Sequence, residues 1–457
     1  MTETKPTGGA ADSQDPLAAQ DSPTAQDSPT AQGPGRERQN RIYRDGVFGR
    51  RPAIPTHFAA LEKAARRRMS RRAWAYVAGG AGAGATMEAN RASFDRHRIV
   101  PRVLRDVSRR DLSVELFGRR IPAPVLFAPV GAAELVHPEA DVAIAQAAAE
   151  LGVPYIFSNQ GCAPMEDAAA AMDRVAGAGA APHWFQLYWS TDEELVDSLI
   201  GRAERSGADA LVVTLDTTML GWRPRDLDIG SLPFARGEGI AQYTSDPRFV
   251  RIVKDRVRAA AGAKADVEVT WGAVRSLISM SRRYPGALAA NLRSPEPRAA
   301  VETFLDIYSR PSLSWADIAT LRDRTRLPVL LKGVLHPDDA RRAVDEGLDG
   351  IVVSNHGGRQ VDGAIGSLDA LEAIAPVVDG RLTVLLDSGV RGGADVFKAL
   401  ALGADAVTVG RPHLYGLALG GRDGAREAVA NIIAELDLTV GLAGLTSVGE
   451  VTRDSLS

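Results

Sequence analysis

Beyond about residue 120 the chain alternates between two hydrophobic patterns. Eight short runs are apolar at nearly every position and rich in β-branched residues: PVLFAPVG (124–131), PYIFSN (154–159), WFQLYW (184–189), ALVVTLD (210–216), PVLLKG (328–333), GIVVSNH (350–356), TVLLDSG (383–389) and AVTVGRP (406–412). Each is long enough for a strand and too short for a helix. Between them lie alanine-rich amphipathic stretches such as DVAIAQAAAELG, DEELVDSLIGRAERSG, DDARRAVDEG and GADVFKALALG, which predict helices. Strands without polar alternation are covered on both faces, as in a parallel sheet. Eight strand–helix units in succession predict an α/β protein built as a (β/α)8 TIM barrel rather than an open doubly wound sheet.

Strand starts are mostly about 22 to 33 residues apart, but the fifth follows the fourth after roughly 118. That interval predicts an insertion at about 217–315, long enough to cover a site as a lid. Residues 41–123 precede the barrel and carry a helical stretch ending in AYVAGGAG and a strand-like DLSVELFG. Residues 1–40 contain the repeat AQDSPT, AQDSPT with Gly and Pro around it and almost nothing to bury. Such a segment does not offset its ordering entropy, so the reading is a disordered tail (1–40) ahead of one barrel domain (41–457).

Composition narrows the classes. The hydrophobic and charged fractions, 45% and 24%, are those of a globular enzyme, and a net charge of −3 gives no basic field for nucleic acid. Cys162 is the only cysteine, which excludes an intrachain disulfide or a cysteine-based metal cluster and fits a reducing compartment. The N-terminus has no signal pattern, and no apolar run reaches the roughly 18 to 20 residues of a spanning helix. A cytoplasmic protein with no membrane, metal or nucleic-acid partner is expected.

In such a barrel the chemistry sits where the strands end. The polar residues there are Ser158, Gln186, Tyr188, Thr214, Asp216, Lys332, Ser354, His356, Asp387, Arg391, Gly410 and Arg411. After strands seven and eight, LLDSGVRGGADVFKA and TVGRPHLYG each run strand, glycine-bearing turn, helix, with an arginine in both loops, a pattern suited to a phosphate. His356, in SNHGGRQ, ends strand six, and Asp216 ends strand four, where it can face the histidine and favour its charged form. Arg359 and Arg223, the latter in GWRPRD, are placed to clamp a carboxylate from two sides. Lys332 ends an apolar run and needs an anion beside it, either an acidic neighbour or a flavin ring that becomes anionic on reduction.

SNHGGRQ, LDSGVRGGADVFKALALGADAV with GRP after it, VVTLDT and FQLY together resemble the FMN-dependent L-2-hydroxy acid oxidising family, over about 41–455. That family includes glycolate oxidase, lactate oxidase, lactate 2-monooxygenase and flavocytochrome-type lactate dehydrogenases. GWRPRDL, YTSDPRF, AYVAGG and DLSVELFG look most like lactate 2-monooxygenase and its near relatives. The resemblance implies His356 as the base and Asp216 as its partner, with Arg223 and Arg359 on the substrate carboxylate and Tyr76 and Tyr188 on its carboxylate or hydroxyl. It also implies FMN as cofactor. Pro129, Val130 and Gly131 would lie along the ring and Ser158, Gln186, Tyr188, Thr214 and Ser354 at its polar surroundings. Lys332 would sit near N1 and O2, Asp387 on the ribityl chain, and Gly389, Arg391, Gly410 and Arg411 on the phosphate.

The chain departs from that pattern at Gln160, where some members carry tryptophan, and over about 255–308, where no motif aligns, while VHPEAD after strand one follows the wider family more than lactate 2-monooxygenase. The implied reaction is oxidation of a small, lactate-like L-2-hydroxy acid by oxygen, with or without decarboxylation of the product. A homo-oligomer, tetramer or octamer, follows by analogy. A dehydrogenase of the same family using a quinone or protein acceptor, and a non-redox flavin-binding barrel isomerase, are the alternatives.

Overall fold

A computed structural model describes residues 33–260 and 270–457. The eight expected strands are present as β1 (Val125–Phe127), β2 (Tyr155–Phe157), β3 (His183–Leu187), β4 (Ala210–Thr214), β5 (Val329–Val334), β6 (Gly350–Val353), β7 (Thr383–Leu386) and β8 (Ala406–Val409). They close in sequence order, β8 pairing with β1, and every pairing is parallel. The fold is the α/β TIM barrel that the strand rhythm predicts.

Side chains alternate along each strand, so one set faces the barrel axis and the other faces the helices. Leu126, Ile156, Trp184, Val212, Leu330, Val352, Leu385 and Ala406 form an interior cluster of their own. Phe127, Phe185, Val213, Leu331, Val353 and Val409 belong to the large cluster shared with the surrounding helices. Both faces are therefore dry, which is why the runs look continuously apolar.

The interior is closed from below by a hairpin, Val114–Leu116 with Arg119–Ile121, part of which is the strand-like DLSVELFG. Phe117 and Gly118 both take positive φ (50° and 76°), as a two-residue hairpin turn requires. Leu116 and Ile121 join the interior cluster, and the Phe117 ring lies 5.4 Å from that of Trp184.

Of the expected 1–40 tail, residues 1–32 lie outside the described residues. Residues 33–40 depart from the expectation, because they begin a helix, Gly33–Val47, that rests on the last long helix, Arg411–Leu442. Polar contacts hold it there. Gly35 N donates to Asp437 Oδ2 (2.9 Å), and Arg38 reaches Asn431 Oδ1 (2.6 Å) and Glu427 Oε2 (2.7 Å). A reading based on missing apolar residues does not register such an anchor. Helix Arg71–Ala78, capped by the Ser70 side chain, then carries Tyr76 to the barrel. The insertion between β4 and β5 is helical where described, with Pro247–Ala259, Trp271–Arg283 and Glu296–Ile307 as its longest helices. No helix of the described residues is long and apolar enough to cross a membrane.

Candidate active site

Two residues beyond the interior apolar layer the same strand face turns polar. Ser158, Gln186, Thr214, Lys332, Ser354, Asp387 and Thr408 follow Ile156, Trp184, Val212, Leu330, Val352, Leu385 and Ala406 at that spacing, and all seven are buried. Buried polar groups require partners, and these find them mainly in one another. Ser158 Oγ donates to Gln186 Oε1 (3.2 Å), whose Nε2 donates to Thr214 Oγ1 (2.9 Å). Lys332 Nζ donates to Ser354 Oγ (3.0 Å), while Ser354 and Thr408 hydroxyls donate to the two oxygens of Asp387 (2.5 and 2.7 Å).

Lys332 Nζ is 3.3 Å from Asp387 Oδ2, so the acidic neighbour the lysine calls for is present. Burial opposes the charge on both. The mutual attraction outweighs it, assisted for the lysine by Asp216 and for the carboxylate by the two hydroxyls, so Lys332 is raised and Asp387 held well below the usual carboxylate range.

Above this layer a cleft opens, lined by Tyr76, Pro129, Val130, Gly131, Tyr188, Arg223, Lys332, His356, Arg359, Asp387, Gly410 and Arg411 among the expected residues. Asp216 stands behind the wall. Its Oδ1 lies 2.9 Å from His356 Nδ1, and the two side chains are 14% and 19% exposed. Gly333 makes this approach possible: at φ +104° a Cβ there would sit 2.8 Å from Asp216 Cβ. His356 itself takes φ +58°, an unusual conformation for a residue with a side chain, and its amide donates to Ser354 Oγ (3.0 Å).

Burial lowers the His356 pKa, with Lys332 and Arg223 acting in the same direction and Asp216 opposing them. For Asp216 burial works against ionisation, but His356 and Lys332 outweigh it and hold the carboxyl low. The pair therefore rests as neutral imidazole beside carboxylate, and an Nδ1–H directed at Asp216 leaves the Nε2 lone pair free. That is the arrangement of a general base with an orienting partner.

Four arginines converge on the same end of the barrel, and none makes an ion pair with a carboxylate of the described residues. Arg359 donates through Nη1 to the carbonyls of Tyr76 and Gly79 and stacks over the Tyr76 ring at 4.7 Å. Arg223 donates to Arg359 O (3.1 Å) and Gln360 Oε1 (2.6 Å), and Arg411 to the carbonyls of Val77, Gly357 and Gly79. Burial and the neighbouring Arg223 push Arg359 down to about 9, and burial with Arg411 pushes Arg391 down to about 10. Clustered guanidiniums that meet only neutral acceptors make a strong field for an anion. Tyr76 and Tyr188, raised by burial, stay protonated as donors.

Not every expected residue reaches the cleft wall. Ser158, Gln186, Thr214 and Ser354 lie in the polar layer below it. Gly389, at φ +85°, has its Cβ direction filled by the Phe94 ring (2.8 Å), and Arg391 lies over the Phe58 ring at 4.4 Å. The insertion supplies wall residues with no sequence signal, namely Thr217, Met219, Leu220, Phe234 and Tyr308. Gln160, the departure noted after β2, lines the cleft as well.

Comparison with known proteins completes the picture. Residues 65–457 match the family model described as FMN-dependent dehydrogenase. The chain is 44% identical over 419 residues to the FMN-dependent alpha-hydroxy acid dehydrogenase qulF of Penicillium citrinum, covering 92% of this chain and 94% of that protein. It is 42% identical to the L-lactate oxidase of Lysinibacillus sphaericus, covering 86% and 91%. A structure of mandelate oxidase with (S)-4-hydroxymandelic acid superposes with a TM-score of 0.70 at 36% identity, over 88% of this chain and 98% of that one. These matches support the family and do not single out lactate 2-monooxygenase. The chain belongs to the FMN-dependent α-hydroxy acid dehydrogenase and oxidase family, and it is an FMN-dependent oxidoreductase acting on the CH–OH group of 2-hydroxy acids.

Proposed function

We propose that this enzyme oxidises a small, lactate-like L-2-hydroxy acid to the 2-oxo acid with oxygen as electron acceptor, and that the cleft residues divide the work between binding and proton removal. The observation that carries the reading is the pairing of a neutral His356, oriented by Asp216, with Arg223 and Arg359, which have no carboxylate partner among the described residues, in one cleft. Arg223 and Arg359 hold the substrate carboxylate, which fixes the orientation of the carbon to be oxidised. Tyr76 and Tyr188 donate to its carboxylate or hydroxyl. His356 Nε2 accepts the substrate proton, and Asp216 stabilises the imidazolium that results.

The donor set also fits FMN. Arg411 and Arg391, with the Gly389 and Gly410 turns, suit the phosphate, and Asp387 the ribityl chain. Pro129 to Gly131, which line the cleft, would hold the ring. Ser158, Gln186, Thr214 and Ser354 of the buried polar layer would offer it polar groups, and Lys332 a fixed positive charge. FMN, when bound there, supplies the two-electron acceptor. Lysine in the buried polar layer favours negative charge developing beside it.

Relatives named L-lactate oxidase and 4-hydroxymandelate oxidase, the latter from Amycolatopsis orientalis at 38% identity, support oxygen as acceptor. If the 2-oxo acid leaves before oxygen is consumed, the products are 2-oxo acid and hydrogen peroxide. If it stays, peroxide decarboxylates it to the acid one carbon shorter with carbon dioxide and water. Anaerobic mixing of the yellow holoenzyme with L-lactate, D-lactate, glycolate and mandelate tests substrate choice, and admission of air followed by product analysis tests the acceptor. Fast bleaching by L-lactate and rapid reoxidation by air are expected. Bleaching only by larger acids removes the lactate-like assignment, and reoxidation by a quinone but not by air removes the oxidase.

A further inference from the structure

Gln360, the last residue of SNHGGRQ, does not line the cleft, yet its side chain joins the two loops that build it. Its Nε2 donates to the backbone carbonyls of Asp216 (2.6 Å) and Met219 (2.9 Å), both in the loop after β4. Its Oε1 accepts from Arg223 Nη2 (2.6 Å). The same junction is closed at backbone level. Arg223 Nε donates to Arg359 O, and a Cβ on Gly221 would stand 2.5 Å from that oxygen and 2.7 Å from the carbonyl of Gln360. One amide thus uses both donor hydrogens and its acceptor to tie the β4 loop to the β6 loop.

We infer that Gln360 is a positioning residue for substrate recognition, setting the direction of the Arg223 guanidinium while fixing the peptide that carries Asp216. The inference rests on the reading of Arg223 as a carboxylate ligand. With Nε and one Nη2 hydrogen engaged by Arg359 and Gln360, the Nη1 edge is the part of Arg223 with no partner among the described residues. A guanidinium held along one edge presents the other in a fixed plane, which is what bidentate capture of a carboxylate requires. A freely rotating arginine would have to be ordered at each binding event, at the expense of affinity.

The arrangement predicts a separation of effects. Gln360→Leu removes both donors and the acceptor at similar volume. It should weaken binding of oxalate, a non-reacting dicarboxylate read by perturbation of the flavin absorbance, on the order of tenfold to a hundredfold. KM for the hydroxy acid should rise in step, with a smaller change in kcat and full FMN content. Gln360→Glu keeps the acceptor and the length but loses both donors, and its carboxylate pairs with Arg223 directly, so oxalate binding should again weaken.

Arg223→Lys and the double variant Arg223→Lys with Gln360→Leu complete a cycle. If Gln360 acts through Arg223, the double variant binds oxalate no worse than Arg223→Lys alone. Wild-type oxalate affinity in both Gln360 variants, or losses that simply add in the cycle, would overturn the inference. Undiminished oxalate affinity in Arg223→Lys would instead overturn the carboxylate-ligand reading itself. Should Gln360→Leu not fold, the Glu variant and its own cycle with Arg223→Lys decide the matter on the same terms.

Discussion

Asp216→Asn separates the charge of the carboxylate from its shape. The side chain faces His356 Nδ1 at 2.9 Å in a largely buried pocket, and asparagine of the same size still offers an oxygen to the Nδ1–H. In the proposed mechanism, what is lost is the attraction between carboxylate and the imidazolium formed during proton removal. Two unit charges about 4 Å apart at an effective dielectric near 20 interact by ~4 kcal/mol. Hydrogen bonds to charged groups contribute about 1.5–3 kcal/mol. A loss of about 2–4 kcal/mol at the transition state slows the reductive step roughly 30- to 1,000-fold.

The pH dependence has a definite sign. As the proposed base, His356 acts when unprotonated, and its pKa lies below the ordinary histidine value because burial, Lys332 and Arg223 outweigh Asp216. In the parent enzyme kcat/KM therefore falls as pH drops through that lowered pKa and is level near neutrality. Removing Asp216 takes away the group that raises the pKa, so the acid limb moves to still lower pH even as the plateau drops. Anaerobic stopped-flow reduction over a range of substrate concentrations at each pH gives both the limiting rate and the second-order rate constant whose acid limb reports His356, with FMN content as the control. Reduction within threefold of the parent rate, or an acid limb displaced upward, would refute the reasoning.

Arg411→Met should reduce FMN retention, measured as the ratio of flavin to protein after gel filtration, and Arg391→Met should act in the same direction with a smaller effect because its side chain lies off the cleft wall. Asn90→Leu breaks a reciprocal amide pair, since Asn90 Nδ2 donates to Asn355 Oδ1 (2.9 Å) and Asn355 Nδ2 to Asn90 Oδ1 (2.6 Å). Leaving Asn355 buried without that partner should destabilise the protein by about 1–3 kcal/mol in urea unfolding.

The strand rhythm is the most legible feature of the sequence, because a parallel barrel must bury both faces of every strand and the chain cannot hide that many apolar runs. The polar layer is nearly as legible. A buried polar residue at the end of an apolar run, as at Gln186, Lys332 or Asp387, stands out against its neighbours. His356 and Asp216 share that signal. Phe234 and Tyr308 do not, since their arrival at the cleft depends on how the insertion helices fold back and no local periodicity records that path. The same holds for Asn90 and Gln360, whose importance lies in partners 265 and 144 or fewer positions away. The first helix was obscured for a different reason. Its anchorage is by arginine and backbone to Glu427 and Asp437, which a search for apolar stripes passes over.

The hairpin seated beneath the barrel, with Phe117 against Trp184, gives the enzyme a floor and leaves its ceiling to be rebuilt. Cohesion is vested in the lower storey, where Trp184, Leu330 and Leu385 form the interior cluster and do not line the cleft. The loops that choose a substrate are attached to the upper one. New specificities can then arise by exchanging loops above an undisturbed foundation. In this barrel, innovation and durability occupy separate floors.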